Sequence, residues 1–183
     1  MLERITKQDF ETLYQLIEAS FPPTERRTKE GQKALFCKEP AYRVYGVKNK
    51  ETNAVEAFLA VWELNRVLFL EHFAVDPKLR GNGIGSRLLG ELASMTNKPL
   101  CLEVEPPENE TAIRRIGFYK RNGFFLNEYP YIQPPLAPGQ PPIPLLIMTY
   151  GQAVEQNGFE RIKEELYRCV YHVGSLELVN NER

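Results

Sequence analysis

Apolar and polar positions change period several times along this chain, and each change marks an element. Residues 2–5 suggest a short strand. Lys7 to Ser20 has helical spacing, with Phe10, Leu13, Leu16, Ile17 and Ala19 on one face. Pro22-Pro23 ends that helix, because proline lacks an amide hydrogen and restricts the residue before it. A shorter helix is expected over Lys29–Phe36. Tyr42–Lys48, Val55–Leu64 and Val67–Val75 read as three strands joined by tight polar connections, which indicates an antiparallel meander. Helical spacing returns over Gly83–Met95, with Ile84, Leu88, Leu89 and Leu92 on one side. Pro99–Val104 is a short apolar strand closed by Pro106-Pro107. Thr111–Arg121 forms a helix with Ala112, Ile116 and Tyr119 aligned, and Asn122-Gly123 is a left-handed stop. Strands at Phe124–Asn127 and Leu145–Tyr150 flank a proline-rich stretch. Phe159–His172 is an amphipathic helix with Phe159, Ile162, Leu166, Cys169 and Val170 inward.

The order β-α-α-β-β-β-α-β-α-β-β-α predicts an α/β fold of the α+β type, with a mixed sheet flanked by helices. At about 150 residues per domain, 183 residues form one domain with room for an appendage. The reading divides the chain into a main domain over 1–151 and a C-terminal helical extension over 152–183.

Composition narrows the function. With 23 Lys and Arg against 24 Asp and Glu, the net charge is -1, without the basic excess of a nucleic-acid binder. Cys37, Cys101 and Cys169 are widely separated and the two histidines form no cluster with them, so neither a metal site nor a disulfide framework is expected. Each cysteine reads as a small buried apolar residue. No apolar run is long enough for a membrane span, and the N-terminus lacks a signal-peptide pattern. The expected location is the reducing cytoplasm. Seven of the 14 prolines lie at 130–144.

The most informative stretch is Phe73–Leu89, FAVDPKLRGNGIGSRLL. A strand ends, and Arg80-Gly81-Asn82-Gly83-Ile84-Gly85-Ser86 leads into a helix. Glycine adopts positive φ without steric cost and lets a ligand approach the backbone. The first amides of a helix lack intrahelical partners and lie at the positive end of its dipole, which suits a phosphate. The spacing is neither the dinucleotide fingerprint nor the P-loop. A plain turn remains the alternative reading of these glycines.

The segment Arg80-x-x-Gly83-x-Gly85 resembles the Arg/Gln-x-x-Gly-x-Gly/Ala signature of the GNAT superfamily of N-acetyltransferases. Phe73-Ala74-Val75-Asp76-Pro77 is similar to that family's fourth strand and its exit. Asn109-x-x-Ala112 and Phe118-Tyr119-Lys120-Arg121-Asn122-Gly123-Phe124 are similar to its later elements. The resemblance implies a central twisted, mostly antiparallel sheet and acetyl-CoA as cosubstrate, without a metal. It implies that amides from Arg80 through Gly81, Asn82, Gly83, Ile84, Gly85 and Ser86 hold the pyrophosphate. The pantetheine arm would pair with backbone around Phe73, Ala74 and Val75, and Asn109 would contact the cofactor or simply cap a helix. Tyr119 would protonate the departing thiolate, or be a core tyrosine.

An amine of pKa about 10.4 is almost wholly protonated at neutral pH, so direct attack on a thioester needs a proton acceptor. The resemblance implies one on the fourth or fifth strand. Candidates are Glu71, His72, Glu103 and Glu105, with Glu71 and then Glu105 preferred; each also reads as a paired or solvated side chain. A backbone amide near Val75 would hold the oxyanion. Carboxylates at 103, 105, 108 and 110 would favour a cationic acceptor, or form a solvated loop. The proline stretch Tyr129–Pro144 reads as a stiffened loop beside the acceptor, with Tyr129 and Tyr131 as contacts. The implied acceptor is a small-molecule or peptide amine, with no nucleic acid or membrane partner and with homodimerisation open. A non-catalytic acyl-CoA sensor is the second reading, and an unrelated nucleotide-binding regulatory domain the third.

Overall fold

The computed structural model describes residues 2–173, so positions 174–183 of the expected extension lie outside the described residues. The strands are β1 (Glu3–Arg4), β2 (Tyr42–Lys48), β3 (Val55–Glu63), β4 (Leu68–Val75), β5 (Leu100–Val104), β6 (Phe124–Gln133) and β7 (Ile143–Tyr150). The helices are α1 (Phe10–Ser20), α2 (Lys29–Lys38), α3 (Ile84–Ser94), α4 (Glu110–Arg121) and α5 (Gln156–Cys169). The seven-stranded sheet has the order β1-β2-β3-β4-β5-β7-β6, a mixed α/β fold as the residue pattern predicts.

Contacts divide the chain into two compact units. The first holds residues 1–63 and 70–97, and the second holds 64–69 and 98–183. In the first, β2 pairs antiparallel with β1 and β3, and Tyr42 lies opposite Trp62. Strand β3 is buried along nearly its whole length, from Ala57 through Trp62, and α1 packs on it. Helix α1 buries Phe10, Leu13, Tyr14, Leu16 and Ile17. Ala19, expected inward, is exposed; the larger Tyr14 is buried instead, and Arg26 donates to its hydroxyl at 2.7 Å. A 3-10 turn at Lys7–Asp9 precedes α1, closed by Asp9 accepting from the Thr6 amide and hydroxyl.

In the second unit, β7 pairs antiparallel with β5 and with β6. Strand β6 runs six residues beyond Asn127, so Tyr129 and Tyr131 belong to a strand and the proline loop shrinks to residues 134–142. Pro130 is tolerated because β6 is the outermost strand and the register shifts between Asn127 and Tyr131. Asn127 fills that irregularity: its amide nitrogen donates to the Ile147 carbonyl at 3.0 Å and its oxygen accepts from the Val154 amide at 2.9 Å.

Helix α5 groups with this unit. It buries Phe159, Ile162, Leu166 and Tyr167 against its neighbours, and Glu165 as well. The Glu165 carboxylate accepts from the amides of Asn65 and Arg66 at 2.9 and 3.2 Å, capping the turn before β4. The Tyr167 hydroxyl donates to the Ile132 carbonyl at 2.7 Å. The cysteines differ from the expected uniform burial: Cys101 is buried, whereas Cys37 and Cys169 are half-buried near helix ends.

Candidate functional site

Strand β4 ends at Val75, and Asp76 accepts from the Lys78 amide at 2.9 Å to form a 3-10 turn over Pro77–Leu79. The Arg80 side chain folds back, donating from Nε to the Val75 carbonyl at 3.1 Å. Gly81 and Gly83 then take φ of 84° and 72°, the left-handed region where a Cβ is disfavoured. A Cβ at either position would meet no atom within 4 Å. Backbone conformation, not crowding by the protein, therefore demands glycine at these two positions, and the space beside them is open. Helix α3 starts at Ile84 with no side-chain cap on its first turn, and the Gly83 carbonyl accepts from the Arg87 amide at 3.0 Å. Leu88, Leu89 and Leu92 are buried and fix the helix direction.

Glu71, on β4, is enclosed by donors. Arg27 Nη1 and Nη2 each reach one of its oxygens at 2.8 Å, and Trp62 Nε1 donates at 3.0 Å. The side chain is 2% exposed. Burial opposes ionisation there, but Arg27 and His72 outweigh it and hold the carboxyl well below the usual range. So placed, Glu71 is a weak proton acceptor. His72 is buried, with Nδ1 3.3 Å from Glu71 Oε2 and Nε2 2.9 Å from the Glu25 carbonyl; Phe21 stacks on it edge-on.

Glu105, following β5, pairs with Arg115 of α4 at 2.8 Å with both side chains partly exposed. Asn109 caps α4, its side chain accepting from the Ala112 amide at 2.9 Å. This is the capping geometry its residue type favours, and the amide contact occupies Oδ1. Tyr119 is buried on α4 between the rings of Phe118 and Phe124, at centroid distances of 5.3 and 5.6 Å. Among the described residues, no hydrogen bond to its hydroxyl is formed. Burial pushes the phenol up to about 12, against a smaller lowering by Arg115. It is thus protonated at neutral pH and able to donate.

Two groupings escape a sequence reading. Arg27 reaches Glu71 across 44 positions, and no local spacing signals it. Glu103 of β5 accepts from Tyr131 and Tyr171, which lie 28 and 68 positions away.

A sequence profile described as the acetyltransferase (GNAT) family matches residues 10–124. A Bacillus subtilis (strain 168) protein, YjbC, whose name gives acetyltransferase activity provisionally, is 31% identical over 113 residues. That match takes in 61% of this chain and 55% of the relative, so this chain spans about half the length of that curated relative. A Bacteroides thetaiotaomicron structure, titled provisionally as an acetyltransferase of the GNAT family, is 32% identical with a TM-score of 0.86. It covers 95% of this chain and 99% of its own. Arabidopsis thaliana NAA60 in complex with acetyl-CoA shares the fold at a TM-score of 0.62 and 17% identity, over 82% of this chain and 97% of its own.

The chain belongs to the GNAT acetyltransferase family.

Proposed function

We propose that the protein transfers the acetyl group of acetyl-CoA to a primary amine by direct attack of the amine on the thioester. The observation that carries the reading is the pair of left-handed glycines, Gly81 and Gly83, opening onto free space before an uncapped α3. Amides arranged in this way suit the pyrophosphate of coenzyme A. The resemblance assigns the remaining contacts to backbone at Phe73, Ala74 and Val75 and to Asn109.

The leaving group is a thiolate whose conjugate acid has a pKa of about 8.5. A phenol at about 12 transfers its proton to it uphill, so Tyr119 acts first as a hydrogen-bond donor to the developing charge. Glu105, partly exposed, is the alternative to Glu71 as the amine's proton acceptor, and it would first have to leave Arg115. A small or peptide amine fits this chemistry. Three free cysteines fit a reducing cytoplasm.

The test is an acetyl-CoA titration followed by thermal melting and by thiol release over a panel of amines. Acetyl-CoA should raise the melting temperature of the wild type, and at least one amine should release thiol. Gly83→Asp and Gly85→Asp should remove the thermal shift by placing a carboxylate against phosphate. A thermal shift without thiol release from any amine would instead favour an acyl-CoA-sensing module.

A further inference from the structure

Three Asn-Gly pairs occur in the chain, at 82–83, 122–123 and 157–158. An Asn side chain followed by glycine is open to attack by the next backbone nitrogen, because no Cβ stands beside that nitrogen. Ring closure needs an amide nitrogen free of an acceptor, a main chain that can turn, and room for the ring. The fold grants these conditions unequally.

Asn122-Gly123 is closed to the reaction. Asn122 Nδ2 donates to the Phe118 carbonyl at 2.8 Å, and the Gly123 amide donates to the Lys120 carbonyl at 3.1 Å. A Cβ on Gly123 would lie 3.0 Å from the Tyr150 ring. Asn157-Gly158 lies in the first turn of α5. Asn157 is exposed, but helical backbone holds the next nitrogen in a fixed direction. Phe159 anchors that turn, buried and with its amide donating to the Glu155 carbonyl at 2.9 Å. Asn82-Gly83 differs in each respect. Both residues are exposed and precede α3 rather than lying within it. Among the described residues, neither the Asn82 side chain nor the Gly83 amide nitrogen makes a hydrogen bond. The glycines on either side of Asn82 are left-handed and open onto free space.

We infer that Asn82 is a site of spontaneous deamidation that silences the glycine loop, and that bound coenzyme A protects it. The protection rests on the acetyl-transfer reading above; the lability of the site does not. In the step, the Gly83 nitrogen gives its proton to hydroxide or a buffer base and attacks Cγ of Asn82. The bond from Cγ to Nδ2 breaks, and that nitrogen leaves with the electron pair, takes a proton from solvent and departs as ammonia. Water then opens the resulting succinimide at either carbonyl. Opening at the main-chain carbonyl gives isoaspartate, and opening at Cγ gives aspartate. Either product sets a carboxylate among the amides proposed for pyrophosphate, where like charge opposes binding. Isoaspartate also inserts a methylene into the backbone between Gly81 and Gly83. A phosphate oxygen accepting from the Gly83 amide holds its proton and fixes the loop. Protein in use therefore keeps its site, and protein left without cosubstrate loses it.

The test incubates the full chain in mildly alkaline buffer, with and without saturating coenzyme A, and maps peptides by mass spectrometry with isoaspartate detection. Without coenzyme A, Asn82 should convert at least about tenfold faster than Asn122 and Asn157, the factor that freeing one residue from a fixed backbone geometry supplies. Coenzyme A should slow Asn82 by about tenfold for the same reason and leave Asn157 unchanged. The fraction of aged wild type that responds to acetyl-CoA by thermal shift should fall in step with conversion. Asn82→Gln should keep on ageing whatever shift it shows when fresh, since its longer side chain closes a ring far more slowly. Conversion of Asn82 no faster than that of the other two asparagines overturns the inference. So does equal conversion with and without coenzyme A in protein whose melting temperature acetyl-CoA raises, and so does an undiminished shift in fully converted protein. Absence of any acetyl-CoA thermal shift in fresh wild type would instead remove the acetyl-transfer reading, while the order of the three asparagines is still read by mass.

Discussion

Arg27 and Glu71 form a two-bond ion pair at 2.8 Å with side chains 10% and 2% exposed. The pair ties the segment between α1 and α2 to the middle of β4, with Trp62 and His72 completing the shell around the carboxylate. A buried charge left alone is far more costly than a matched pair. Arg27→Ala should therefore destabilise the protein by about 3–5 kcal/mol, read as a lower urea midpoint. Replacing both residues by apolar side chains of similar volume should recover much of that loss.

The same pair sets a pH dependence. Glu71 is held below its unfolded value of about 4.3. Its contribution is therefore fully present above that pH and is lost as pH falls further, through the folded value. Unfolding measured from pH 7 downward should show stability declining below about pH 4. In Glu71→Gln the same decline should be shallower.

Gly83 separates conformation from ligand binding. Open space surrounds its missing Cβ at a φ of 72°, so Gly83→Ala meets only backbone strain of about 1–2 kcal/mol. It should fold with a modestly lower melting temperature. Gly83→Asp should fold similarly yet lose the acetyl-CoA-dependent rise, which calorimetry with and without acetyl-CoA distinguishes.

The Tyr119 ring is packed between Phe118 and Phe124, while its hydroxyl is unbonded within the described chain. Tyr119→Phe should keep the melting temperature within about 0.5 kcal/mol of equivalent stability and keep acetyl-CoA binding. Turnover should fall about 10- to 100-fold. Full retention of kcat would remove the tyrosine from the chemistry.

Helix α5 is tied to its unit by Glu165, whose carboxylate receives two backbone amides. Glu165→Ala leaves both buried donors without that acceptor, at about 1–3 kcal/mol each. Urea denaturation should show this loss, and Glu165→Gln should restore part of it.

The element order was readable from periodicity because burial repeats locally: every second residue along β2, every third or fourth along α1 and α4. The Gly81–Gly83 turn was readable for a similar reason. Its left-handed backbone is a demand made residue by residue, and only glycine meets it cheaply. The true end of β6 was not readable, since Pro130 looks like a loop residue until β6 is known to be the outermost strand with a register shift.

The carboxylates show the other limit. Glu71 on β4, Glu103 on β5 and Glu105 just after β5 are alike as letters, and alternation sorts only their faces. Their chemistry depends on partners 44, 68 and 10 positions away: a guanidinium for Glu71, phenols for Glu103 and an exposed arginine for Glu105. Local backbone preference is written in the order of residues. The charge and basicity of a buried group are set by what folding brings within about 3 Å of it, and that was decided by the tertiary structure alone.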